Sequence, residues 1–172
     1  MITPREYLVP ENTGGMVVQY RHLGDVQVAY NKVLVAVDLG KTSSVVIRKA
    51  AALATAGGAE LHVLHAVEPL SITYGGDIPM DFSSIQDEIY QQATEQLAVF
   101  CADLAISDHR QHLVIGRPEV EIANMAETLG IDLIVVGSHE RYGLAVLLGS
   151  TTDGVLHSAA CDVLAVKVEP EG

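Results

Sequence analysis

The stretch Val135-Val-Gly-Ser-His-Glu-Arg-Tyr-Gly-Leu-Ala-Val-Leu-Leu-Gly-Ser-Thr151 decides how the chain is read. Ile134-Val-Val136 predicts a buried strand that Gly137 ends. A glycine-punctuated loop follows, and Gly149, Ser150 and Thr151 stand at the start of a helix. Main-chain N–H groups and hydroxyls converging at the positive end of a helix are what an α/β protein uses to hold a phosphate. Glu140 contradicts this pattern, because it puts a carboxylate in the loop that would meet the phosphates.

Working outward, the flanking segments alternate regularly. Strands are expected at Val33–Val37, Leu61–Val67, His112–Ile115, Leu133–Val136 and Val163–Val168. Helices are expected at about 42–56, 83–105, 120–129 and 151–158. Gly57-Gly58 closes the first helix, as glycine does at a left-handed C-terminal cap. Ser83 with Gln86, or Ser84 with Asp87, suits the start of the second. That helix presents Ile85, Ile89, Leu97, Phe100 and Leu104 at helical spacing, which reads as core packing. Strands apolar on both faces and separated by helices predict one parallel sheet covered on both sides with right-handed crossovers. The fold class is therefore α/β, Rossmann-like and doubly wound, with five strands. In the order 3-2-1-4-5 the first and fourth strands are neighbours, and a ligand crevice lies beyond their carboxyl ends.

The 172 residues suit one domain over 31–168, preceded by an extension over 1–30 and followed by a tail over 169–172. The second half of the extension, Met16–Tyr20 and Val26–Tyr30, reads as an added strand, a hairpin or a mobile tail, and Met16 is an alternative start. Ten Lys and Arg against 22 Asp and Glu give a formal charge of -12, which opposes attraction to nucleic acid or anionic membrane. No apolar run approaches the roughly 18 residues of a membrane span. Two cysteines and no charged-then-apolar leader give a cytoplasmic expectation.

The residues bearing on chemistry each carry two readings. Gly137, Ser138, Gly143, Gly149 and Ser150 provide the small residues a phosphate loop needs, or simply a strand end, a helix start and an ordinary N-cap. No lysine makes it a Walker loop, and Arg141 is the only cation in the stretch. Asp38 either meets a ribose or a metal on phosphate, or orders Leu39 and Gly40 in a turn. His139 touches a ligand or faces solvent. His62 and His65, like His109 and His112, are three apart and badly placed for a metal, so no metal site is expected. Ser150 lacks the Gly-x-Ser-x-Gly elbow of a hydrolase, and Cys101 and Cys161 read as packed core thiols. No catalytic residues are expected.

At Val35-Ala-Val-Asp38, Leu64-His-Ala-Val67, Val135-Val-Gly-Ser-His139, Leu148-Gly-Ser150 and Cys161-Asp-Val-Leu-Ala-Val166 the chain resembles the universal stress protein family, over about residues 30 to 168. The resemblance implies a homodimer formed through the last strand, Val163–Val168. It also implies a regulatory adenine nucleotide, ATP with or without Mg, held by Ala36, Val37, Asp38, Ala66, Val67, Gly137, Ser138, His139, Arg141, Gly149, Ser150 and Thr151. In the nucleotide-binding branch the loop follows Gly-x2-Gly-x9-Gly-Ser/Thr. Gly137, Gly149 and Ser150 match it, but Glu140 takes the place of the second glycine, and eight residues separate it from Gly149. The segment Tyr74–Phe82 resembles the branch that tends not to bind ATP. A nucleotide-free dimeric interaction protein is therefore the alternative expectation, and a weak ATP or phosphate-ester hydrolase the third.

Overall fold

The computed structural model describes residues 5–10, 16–21, 30–70, 83–139 and 149–168. Strands β1 (Arg5–Pro10) and β2 (Met16–Arg21) pair antiparallel with each other and form a two-stranded sheet of their own. The remaining elements alternate: β3 (Lys32–Ala36), α1 (Ser43–Gly57), β4 (Glu60–Val67), α2 (Ser83–Ala102), β5 (Gln111–Ile115), α3 (Pro118–Leu129), β6 (Leu133–His139), α4 (Ser150–Ser158) and β7 (Asp162–Val168).

The five strands β3 to β7 form one parallel sheet in the order β5-β4-β3-β6-β7, the order 3-2-1-4-5 anticipated above. Its two faces explain the near-continuous apolar strands. Val33, Val35, Val63 and Val135 point to the face covered by Val46, Ile47 and Ala50 of α1 and Leu97 and Cys101 of α2. Their neighbours in sequence, Leu34, Leu64, Ile134 and Val136, point to the face covered by Ile122 and Ala126 of α3 and Val155 of α4. Strand alternation thus sends odd and even positions into two separate cores.

Helix ends follow their local chemistry. α1 and α3 both terminate at a glycine in the left-handed region, Gly58 with φ 70° and Gly130 with φ 65°, whose N–H groups return to Thr55 and Glu127. Pro118 opens α3 at a position where its missing N–H costs nothing. The amphipathic face expected on α2 packs on the core through Leu97, Phe100 and Leu104, joined by Ala93 and Cys101, while Ile85 near the start of the helix is exposed.

Two expectations about the decisive stretch need correction. Gly137 does not end β6, because the edge strand β7 keeps pairing with it through Gly137↔Val166, Ser138↔Lys167 and His139↔Val168, after β3 has stopped at Ala36↔Val136. Nor is Ser150 an N-cap. Gly149 occupies that position with φ -56° and ψ 153°, and Ser150 is the first helical residue.

The base of the sheet is pinned by Asp132, ahead of β6. Its Oδ2 accepts the Asn31 N–H at 2.7 Å and its Oδ1 the Lys32 N–H at 3.0 Å. The Lys32 ammonium donates to the carbonyl of Leu129 at 3.0 Å. These bonds join residues a hundred positions apart, at the end of the sheet remote from the crevice.

Candidate functional site

Because β3 and β6 are neighbours whose following connections go to opposite faces, a crevice opens between them at their carboxyl ends. A cavity of about 810 Å³ fills it. Ala36, Val37 and Asp38 line it from the end of β3, and Ala66 from β4. Gly137 contributes from β6, and Gly149, Ser150 and Thr151 from the start of α4. Two further anticipated residues directly follow lining ones, Val67 after Ala66 and Ser138 after Gly137. Val67 is buried, and its carbonyl accepts the Gly116 N–H at 3.0 Å beside β5; Ser138 is taken up in the pairing with Lys167. His139 is the last residue of β6, while Glu140, Arg141 and Gly143 lie outside the described residues.

The two ends of the cavity differ in polarity. At α4, Gly149 has no side chain with which to cap, so the first-turn N–H groups have no acceptor within the helix. A side-chain carbon added at Gly149 would meet nothing within 4 Å among the described residues, so glycine leaves the backbone approachable from their side. The hydroxyls of Ser150 and Thr151 lie at the same end. This end suits an anion.

At the β3 and β4 end, the cavity is lined by the carboxylates of Asp38 and Glu68 and by the imidazole of His65. Asp38 shapes its own turn as well as lining the cavity: Oδ1 accepts the Gly40 N–H at 2.9 Å and the Ser43 hydroxyl at 2.7 Å. The turn reading of Asp38 is therefore the one observed, on a residue that also lines the cavity. His65 donates from Nδ1 to the carbonyl of Val37 at 2.8 Å, which places its proton on Nδ1 and leaves Nε2 as the acceptor of the neutral ring. This end suits hydrogen-bond donors, such as ribose hydroxyls or the amino group of a base.

Several lining residues escaped the sequence reading. Thr42, Ser43 and Val46 come from the start of α1, Glu68 follows β4, Pro118 opens α3, and Thr152 donates its hydroxyl to the Gly137 carbonyl at 3.0 Å. The available signal was the Ser and Thr residues clustered at helix starts just after strand ends. Thr152 and Ser43 are nearly inaccessible yet polar, which requires partners.

His62 and His112, considered above only as metal ligands, pair in a different way. His62 Nδ1 and His112 Nε2 lie 3.0 Å apart across β4 and β5, with the rings stacked. Burial lowers both pKa values; Glu60, 3.5 Å from the other His62 nitrogen, partly opposes this at His62. Among the described residues no three His, Cys, Asp or Glu side chains gather as metal ligands. Burial pushes the Cys101 thiol up to about 11 and raises Cys161 as well, so neither is an activated nucleophile. No helix among the described residues is long and apolar enough to cross a membrane.

Comparison with known proteins agrees with this architecture. The profile of the universal stress protein family matches residues 29–167. Universal stress protein A homologs 1 and 2 of Coxiella burnetii are each 38% identical to the chain, over 80% and 81% of it and 96% and 97% of their own lengths. Among solved structures, a functionally unknown protein from Pseudomonas aeruginosa PAO1 is 27% identical with a TM-score of 0.60. The match covers 80% of this chain and 47% of that one, so the chain spans about half of that protein. A universal stress protein solved in complex with cAMP is 25% identical with a TM-score of 0.53, covering 80% of this chain and 97% of that one. The chain belongs to the universal stress protein family.

Proposed function

We propose that the protein binds an adenine nucleotide, ATP or a close relative, as a regulatory ligand in the crevice between β3 and β6. The observation that carries this reading is the polarity of the cavity. Open helix N–H groups and hydroxyls face one end, and Asp38, Glu68 and His65 line the other. A nucleotide has the matching polarity, with phosphate at one end and ribose hydroxyls and a base amino group at the other. The related protein solved with cAMP supports the same ligand class. Ala36, Val37, Asp38 and Ala66 would bound the nucleoside; Gly137, Gly149, Ser150 and Thr151 would bound the phosphates, with Mg offsetting their charge. Val67, Ser138, His139 and Arg141 complete the set by family resemblance. No catalytic role is assigned, and the output is that of a cytoplasmic switch in the stress response.

Homodimerisation belongs to the same proposal. β7 is the edge of the sheet, and Leu164 on it is 38% exposed, an apolar side chain that a second copy would cover.

Glu140 supplies the competing reading, an interaction protein that binds no nucleotide. A carboxylate about 4 Å from a phosphate charge costs ~4 kcal/mol at an effective dielectric near 20. Calorimetric titration of Mg-ATP into the parent and into Glu140→Gly separates the two. Binding by the parent that tightens in the variant supports the regulatory reading. Binding only by the variant installs the interaction protein, and heat from neither rejects nucleotide binding in this crevice.

A further inference from the structure

The central strands stop pairing with each other at the floor of the crevice. The last rung between β3 and β6 is Ala36↔Val136, and that between β3 and β4 is Ala36↔Leu64. Beyond it, the carbonyls of Val37 and Gly137 project where a ladder would otherwise continue. Each instead receives a side-chain donor, one from the neighbouring strand β4 and one from α4. His65 Nδ1 donates to Val37 at 2.8 Å, and the Thr152 hydroxyl to Gly137 at 3.0 Å. Thr152 is 3% exposed, so its hydroxyl is not available to exchange this bond freely with water.

We propose that His65 and Thr152 are positioning residues that clamp the ends of β3 and β6 and so set the floor of the crevice. The turn after β3 shows why a clamp is needed. Leu39 is held at φ 59°, a left-handed conformation that a leucine resists, while its side chain packs against the core. Only surrounding contacts keep such a residue in place. The Asp38 carboxylate holds the turn from its far side through Gly40 and Ser43, the Val37 N–H bonds the Leu64 carbonyl at 3.0 Å, and His65 holds the Val37 carbonyl. On β6, a side-chain carbon at Gly137 would come within 3.2 Å of Val46, so the strand passes close to α1 and has little room to shift. Thr152 ties that strand to the first turn of α4. The Thr152 clamp also occupies the Gly137 carbonyl, whose partial negative charge would otherwise face a bound phosphate, a consequence that rests on the nucleotide reading above.

Four variants test this. His65→Leu and Thr152→Val remove the donors while keeping bulk. His65→Asn, whose amide nitrogen takes the place of Nδ1, and Thr152→Ser restore them. Without ligand, amide exchange over 38–43 is expected to quicken about tenfold in His65→Leu, and over 137–138 in Thr152→Val, while Val33–Val35 at the centre of the sheet stays unchanged. The restoring variants are expected to return to parental rates. With ligand, Thr152→Val is expected to weaken Mg-ATP about tenfold and adenosine much less, whereas His65→Leu, at the nucleoside end, is expected to weaken both about tenfold. Exchange that is unaltered, that rises uniformly across the sheet, or that Asn and Ser fail to restore overturns the clamp. A parent that binds neither ligand overturns the nucleotide reading alone, and the exchange measurement then judges the clamp by itself.

Discussion

Gly154 lies inside α4, where general helix propensity predicts that alanine stabilises by about 1 kcal/mol. The structure predicts the opposite sign. A side-chain carbon at Gly154 would stand 2.7 Å from Glu119 Cβ and 2.8 Å from its Cγ. Carbon atoms pack at about 3.5–4.0 Å, so α3 and α4 would have to separate by ~1 Å. The atom that must yield is a Cβ, fixed to the backbone of α3, and a rotamer change cannot move it. The same two helices close over Ile122, Ala126 and Val155, so separating them loosens that core. Overpacking costs ~1–3 kcal/mol, and a clash with a backbone-fixed carbon belongs in the upper part of that range, ~2–3 kcal/mol, so that after the propensity gain of about 1 kcal/mol Gly154→Ala is less stable by ~1–2 kcal/mol. For a chain of this size that is a fall in Tm of roughly 2–8 °C. Urea denaturation of Gly154→Ala, Glu119→Gly and the double variant supplies the assay. Exchanging which helix carries the carbon should recover stability, giving a favourable coupling of at least ~0.5 kcal/mol. A single variant that gains ~1 kcal/mol, or a cycle without coupling, would refute the reasoning, because propensity alone would then explain α4.

Two further predictions concern acid. Burial lowers the pKa values of His62 and His112, so the unfolded chain takes up protons first as pH falls; the contribution of the pair is fully present above the ordinary value of 6.5 and declines below it. The urea midpoint should therefore drop between pH 7.5 and 5, and His112→Gln should flatten that drop; an unchanged slope would disprove it. At Asp132, burial opposes ionisation, but the N–H donors of Asn31 and Lys32 outweigh it and lower the pKa below the ordinary 3.8. Its contribution is thus present above about pH 4 and lost as pH falls through the lowered value. Asp132→Asn turns an amide donor towards those N–H groups and, after discounting for solvent screening, should cost ~1–2 kcal/mol at pH 7. Equal stability of parent and variant at pH 7 would show that the carboxylate does not anchor β3.

Part of the crevice lining was legible in the sequence for a physical reason. A side-chain carbon at Gly137 would come within 3.2 Å of Val46, and such a local packing requirement leaves a glycine as its mark. Residues such as Ser43, His65 and Thr152 leave a weaker one, because a hydroxyl or imidazole serves in many settings and its partner is chosen by the fold.

The alternation of apolar runs with amphipathic helices was enough for a parallel sheet buried on both faces and for the sequence of its elements; which loops meet at the switch point depends on the strand order, which belongs to the tertiary structure. Both-face burial demands continuous apolar strands, and helical crossovers demand the segments between them. Only tertiary structure decided where β6 stops, since its last rungs depend on β7 and not on Gly137. It alone brought His62 to His112 across two strands, and Asp132 to the backbone of Asn31 and Lys32. It also set Thr152 beneath Gly137. Hydrogen bonds between distant residues depend on which strands become neighbours and in what register, and periodicity along one segment carries no information about either.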